Sequence, residues 1–128
     1  MVTEEYRVWT PVDSIPATLH CEALHDDYEG FRILLRSEDT ISPVLRVFFD
    51  APLAYRNLDE GSLIRTLARL RPRGINSLFI VDNSTWLKWF LEESCGIYEG
   101  RQITHYAFLT PNDCIDVLSE IEPRVEWL

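Results

Sequence analysis

The chain has 128 residues, 46% of them hydrophobic and 26% charged, with a formal net charge of -9. That length and balance fit one domain able to bury a core without staples, and they exclude a disordered chain or tail. A field this acidic repels nucleic acid and anionic membrane, and it favours solubility and attraction to a basic partner.

The acidic excess is uneven. Residues 1–64 hold twelve acids against five bases, and residues 65–128 nine against seven. The N-terminus, "MVTEEYRVWTPVD", has acids where a secretory signal carries Lys or Arg, and no long apolar run follows, so the expected compartment is the cytoplasm. Three cysteines, Cys21, Cys95 and Cys114, stand in separate segments without CxxC spacing, which argues for reduced thiols and against a disulfide framework or zinc knuckle.

In chain order, "YRVW" (residues 6–9) offers a short strand. "ATLHCEALH" (17–25) and "FRILLR" (31–36) flank "DDYEG", a polar turn with Gly30 available for positive φ, and so predict a hairpin. In "PVLRVFFDAPLAY" (43–55) the alternation of Val44, Arg46 and Phe48 against Leu45, Val47 and Phe49 predicts a third strand ending near Asp50 and Pro52. "SLIRTLARL" (62–70) has Ser62 to cap it and apolar residues at 63, 64, 67 and 70, the pattern of an amphipathic helix with Arg65 and Arg69 facing solvent. Pro72 in "RPRG" closes that helix.

"SLFIVD" (77–82) reads as a strand buried on both faces. "STWLKWFLEES" follows as a helix, capped by Ser84, stopped near Gly96, with Trp86, Leu87, Phe90 and Leu91 as its buried stripe. A strand over 103–109 then places His105 on one face with Ile103, Ala107 and Leu109, and Tyr106 and Phe108 on the other. Thr110-Pro111-Asn112-Asp113 predicts a helix over 111–121, with Thr110 as cap, Asp113 supporting it, and Cys114, Val117, Leu118 and Ile121 on its apolar stripe. "RVEWL" ends the chain as a strand. The expected fold is a single α+β domain over residues 1–128, with N-terminal antiparallel strands followed by alternating helices and strands in a mixed sheet.

The candidate chemistry is thin. His105 with Cys114 or a nearby carboxylate would suit a small enzyme, since a thiol needs an accessible site and a histidine within reach. Placed on an apolar stripe, Cys114 is instead packing. His20 and Cys21 face opposite sides of a strand and lack a fourth partner for a metal, His25 reads as a turn residue, and no cofactor is implied. The acid pairs Asp26/Asp27, Asp59/Glu60 and Glu92/Glu93 lie in turns or near helix ends, where solvated charge is the usual reason. Phosphate loop, nucleophile elbow, HExxH and EF-hand patterns are missing from the sequence. Arg65, Arg69, Arg71 and Arg73 are expected in salt bridges.

"NSLFIVDNSTWLKWF", "HYAFLTPNDCIDVLSEIEPRVEWL" and "FFDAPLAYRNLDEG" together resemble the small bacterial immunity proteins encoded beside polymorphic toxins, including those of contact-dependent growth inhibition systems. The resemblance covers about two thirds of the chain, carries no catalytic motif and assigns no residue. It implies a cytoplasmic, non-enzymatic antitoxin, whose partner would be a basic protein toxin. A nuclease is basic because it binds phosphate, so an acidic inhibitor gains on-rate and specificity by occluding it. The contacts expected on charge are Asp26, Asp27, Glu29, Asp59, Glu60, Glu92, Glu93 and Glu99, with Trp89 as an aromatic anchor. An exposed apolar patch around Trp89 or Trp127-Leu128 would instead indicate a homodimeric scaffold.

Overall fold

A computed structural model describes residues 2–39, 41–70 and 76–128. Among these residues nine strands form two sheets. Strands β1 (Glu5–Val8), β6 (Leu78–Asp82), β7 (Thr104–Leu109), β8 (Asp113–Ser119) and β5 (Ala54–Asp59) lie in that order in the first sheet. Strands β2 (His20–Asp27), β3 (Gly30–Arg36), β4 (Leu45–Phe49) and β9 (Arg124–Trp127) make the second. Every pairing is antiparallel, so the expected mixed sheet is corrected. Two helices, α1 (Ile64–Leu70) and α2 (Thr85–Glu93), link β5 to β6 and β6 to β7. The α+β class stands, weighted towards sheet.

Alternation in the strands determines the layers. Phe31, Ile33, Leu35, Leu45, Val47 and Phe49 from the second sheet meet Leu78, Tyr106, Phe108, Ile115 and Val117 from the first in one buried core. Phe49 is central to it, with ring centroids 5.3 Å from Tyr106 and 6.1 Å from Phe108. The opposite face of the first sheet carries a smaller cluster of Tyr6, Phe79, Val81 and Ala107, against which Leu70 of α1 packs. The order is thus sheet, sheet, helices.

The first hairpin forms as predicted, with Asp27 paired to Gly30 across Tyr28 and Glu29. Gly30 has φ 111°, and a Cβ there would lie 2.5 Å from the Phe48 ring, so both backbone and space select glycine. His25 lies within β2, opposite Arg32, rather than in the turn. The alternation expected around Phe48 is also present, since Leu45, Val47 and Phe49 are buried.

Three further expectations need correction. Residues 54–59 form the edge strand β5, hidden in the sequence by Arg56, Asn57 and Asp59 at an edge that solvates polar groups. The helix after it is shorter than expected: Glu60–Ser62 is a 3-10 turn capped by Asp59, so Ser62 caps nothing, and Ile64 is 70% exposed instead of packed. Arg71, Pro72 and Arg73 lie outside the described residues.

The third correction matters most. Thr110-Pro111-Asn112-Asp113 starts no helix; it turns a β-hairpin. Thr110 N–H and Oγ1 both donate to the Asp113 carbonyl, at 2.9 and 2.8 Å. The same residues that cap helices also close turns, because a short side-chain oxygen can satisfy either set of backbone groups. The Asp113 carboxylate accepts from Asn57 Nδ2 at 3.0 Å, and caps nothing. Ile115 and Val117 therefore face the core while Cys114, Asp116 and Leu118 face the helices, and Ile121 is 50% exposed.

Candidate functional site

The new strand at 113–119 brings together side chains that are far apart in sequence. Register pairs Ala107 with Asp116 and His105 with Leu118, so His105 and Asp116 are diagonal neighbours on the helix-facing side of the sheet. Arg56 lies directly opposite Asp116 on β5. Above them, β6 ends in Asn83 at φ 55°, a left-handed turn that delivers Ser84 as the cap of α2.

These residues make one continuous polar chain. Ser84 Oγ accepts from the Leu87 N–H at 3.0 Å and lies 2.6 Å from His105 Nδ1. His105 Nε2 lies 2.6 Å from Asp116 Oδ1, and Arg56 Nε donates to Asp116 Oδ2 at 2.9 Å. His105 and Asp116 are each 1% exposed and Ser84 7%, whereas the Arg56 side chain is 36% exposed. A carboxylate accepting from arginine is acceptor-only, so Nε2 carries the imidazole proton. In the neutral imidazole Nδ1 then presents its lone pair to the Ser84 hydroxyl, which donates.

Trp86 roofs the chain. Its ring stands edge-on to His105 at 5.3 Å and beneath the Arg56 guanidinium at 4.5 Å, so α2 is held to the sheet by aromatic, cation–π and hydrogen-bond contacts together. Tyr6, on the neighbouring strand beyond Val81, titrates well above an ordinary tyrosine, because burial and then the Asp116 and Glu4 carboxylates oppose its ionisation. The Glu4 carboxylate meets the start of α2, accepting from Thr85 N–H at 2.8 Å and Thr85 Oγ1 at 2.9 Å.

Ser84 and His105 both border a cleft of about 960 Å³. Trp9, Leu87, Leu91 and Ile103 give it apolar walls, with Lys88 and Glu122 on the rim. Cys114 lies elsewhere. It is paired to Leu109, four residues along β7 from His105, which at the rise of a strand is roughly 13 Å. Burial, followed by Asp116 and Glu60, pushes its thiol up to about 11. The pairing of His105 with Cys114 is thereby overturned, and the carboxylate that His105 does meet is Asp116.

Among the described residues no group of three His, Cys, Asp or Glu is placed to hold a metal ion, and no helix is long and apolar enough to cross a membrane. The residues expected to contact a partner fall into separate places. Asp26, Asp27 and Glu29 sit at the β2–β3 turn, Asp59 and Glu60 end β5, and Trp89, Glu92, Glu93 and Glu99 belong to α2 and the turns after it. Phe31 next to that first turn packs on Tyr55, at the start of β5, so the first two groups lie towards opposite ends of that strand. Asp27 and Glu29 are held by Arg32, and its guanidinium keeps the Asp27 carboxyl below the usual range. Trp89 is 54% exposed.

Sequence reasoning took Ser84 only as a cap and passed over Arg56 and Asp116. One signal was there: with 103–119 folded as a hairpin about Pro111-Asn112, alternation puts His105 and Asp116 on one face. Compared with protein-family models, curated proteins and solved structures, the chain has no significant match, so its own geometry carries the functional argument.

Proposed function

We propose that the chain is an acidic binding protein of the immunity type, which neutralises a basic toxin in the cytoplasm by covering its active site. One observation carries the reading: of the ten described cations all but Arg65 and Lys88 are committed internally, while the surplus acids are free. Arg7, Arg32, Arg36, Arg46, Arg56, Arg69 and Arg101 each have a carboxylate partner, and Arg124 stacks on Phe48. Among the described residues Asp26, Glu60, Glu92, Glu93 and Glu99 have no ion pair and no side-chain hydrogen bond. A partner therefore meets uncompensated negative charge, which steers a basic protein and discriminates against acidic ones.

The segment after Ser84 suits the central contact best. Glu92 and Glu93 stand one helical turn beyond Trp89 on α2, so an exposed aromatic anchor is flanked by free acids. Of the nine residues expected from sequence, Asp27, Glu29 and Asp59 already serve the fold, through Arg32 and through the 3-10 cap.

The test is co-expression with the protein encoded immediately upstream, scoring complex formation and relief of toxicity. A complex that weakens with salt and is lost in Glu92→Lys/Glu93→Lys supports the reading. Neither complex nor protection from the unaltered chain ends it.

A further inference from the structure

We infer that Ser84, His105 and Asp116 form an acyl-transfer site, with Ser84 as nucleophile and small esters of apolar acids as the substrate class. The inference is independent of the binding reading, which uses the outward side of α2 and none of these three residues.

The geometry is that of an activated serine. The carboxylate of Asp116 orients the imidazole, the imidazole accepts the serine proton, and both contacts are 2.6 Å. The ring nitrogens are exchanged relative to the usual serine hydrolase, since here Nδ1 faces the serine and Nε2 the aspartate. The acid–base logic survives the exchange, because Arg56 and Asp116 together hold the Nε2–H tautomer. Ser84 also occupies a strand-to-helix turn, between β6 and α2, with Asn83 in the left-handed region just before it. It shares the 960 Å³ cleft with His105 alone of the chain's three histidines, and the walls of Trp9, Leu87, Leu91 and Ile103 suit an apolar acyl group.

In the first step the Ser84 Oγ–acyl carbon bond forms as the hydroxyl proton passes to His105 Nδ1, giving a tetrahedral oxyanion. Collapse breaks the bond to the leaving oxygen, which takes the proton from Nδ1. Water then attacks the acyl-serine, gives its proton to Nδ1, and releases the acid as that proton returns to Ser84. Nothing is oxidised, and water is the only co-reactant. Thr85 N–H, the backbone donor that follows the nucleophile, is held by Glu4 at rest, so turnover is expected to be slow until Glu4 yields.

Two probes test the site on the intact chain: an alkyl fluorophosphonate, with the adduct mapped by peptide mass spectrometry, and p-nitrophenyl butyrate, with release of p-nitrophenolate. The expected result is one adduct per chain, on Ser84, and ester hydrolysis that falls at least ~100-fold in Ser84→Ala and His105→Gln. Ser94→Ala, at the far end of α2, should leave both readouts unchanged. Mapping the adduct on unaltered protein keeps the test valid even where a variant unfolds. A folded, unaltered chain with no adduct at Ser84, or hydrolysis that persists in Ser84→Ala, overturns the inference and leaves the toxin test untouched.

Discussion

Asp116→Ala probes how far the packing of α2 depends on the polar chain beneath it. The substitution leaves the His105 Nε2–H buried with no acceptor, a loss of about 1–3 kcal/mol. It also frees Arg56, whose side chain is 36% exposed and can be rehydrated, adding about 1 kcal/mol. With the void left by the carboxyl group the total reaches about 3–5 kcal/mol, the range for breaking one side of a buried ion pair. Against a domain stability of about 5–15 kcal/mol this is a large share. In urea, where the slope is about 1–3 kcal/mol per M, it moves the unfolding midpoint down by about 2 M. Asp116→Asn, which keeps an acceptor for Nε2–H, should lose less than half as much. A midpoint shift under about 0.5 M for Asp116→Ala at unchanged slope, or equal losses for the two variants, would refute the idea that this chain anchors α2.

Other outcomes follow from the same packing. Trp86→Ala should cost on the order of 2–3 kcal/mol by unfolding, because its ring contacts both His105 and Arg56, while Trp89→Ala should fall within about 0.5 kcal/mol. Gly30→Ala forces a side chain into φ 111° against the Phe48 ring and should lower stability by about 1–3 kcal/mol. In a thiol assay exposed Cys95 should react at once, and buried Cys114 only on unfolding. Cys21 and Cys114 both titrate near 11 in the fold against 9.0 when free, so the unfolded chain loses these protons first. Their contribution is therefore complete below about pH 9 and lost as pH rises to about 11, and thermal stability should drop across that window, less so in Cys21→Ala/Cys114→Ala.

The parts of the fold legible in sequence are those where neighbouring residues decide the outcome. Gly30 behind a polar run, the Leu45/Val47/Phe49 alternation and the serine before Thr85-Trp86 are local signals, and each corresponds to an element in place. Residues 111–121 failed because Thr-Pro-Asn-Asp is equally good chemistry for a helix start and for a tight turn. The segment "CIDVLS" has β-branched residues enough to be a strand once β5 and β7 offer ladders on both sides. Strand β5 failed for the opposite reason, since its polar residues only make sense at a sheet edge, and edges are a property of the assembled sheet.

Composition, charge and alternation by themselves determine an acidic, single-domain α+β chain, its first hairpin, and the strand on which His105 lies with Tyr106 and Phe108 turned into the core. Only the tertiary structure decides what His105 meets. A one-residue alternation in β8 and a one-turn cap on α2 bring Ser84, Asp116 and Arg56 to the same few ångströms, across separations of 21, 11 and 49 positions from His105. Such meetings depend on register between strands, which no local window of sequence encodes.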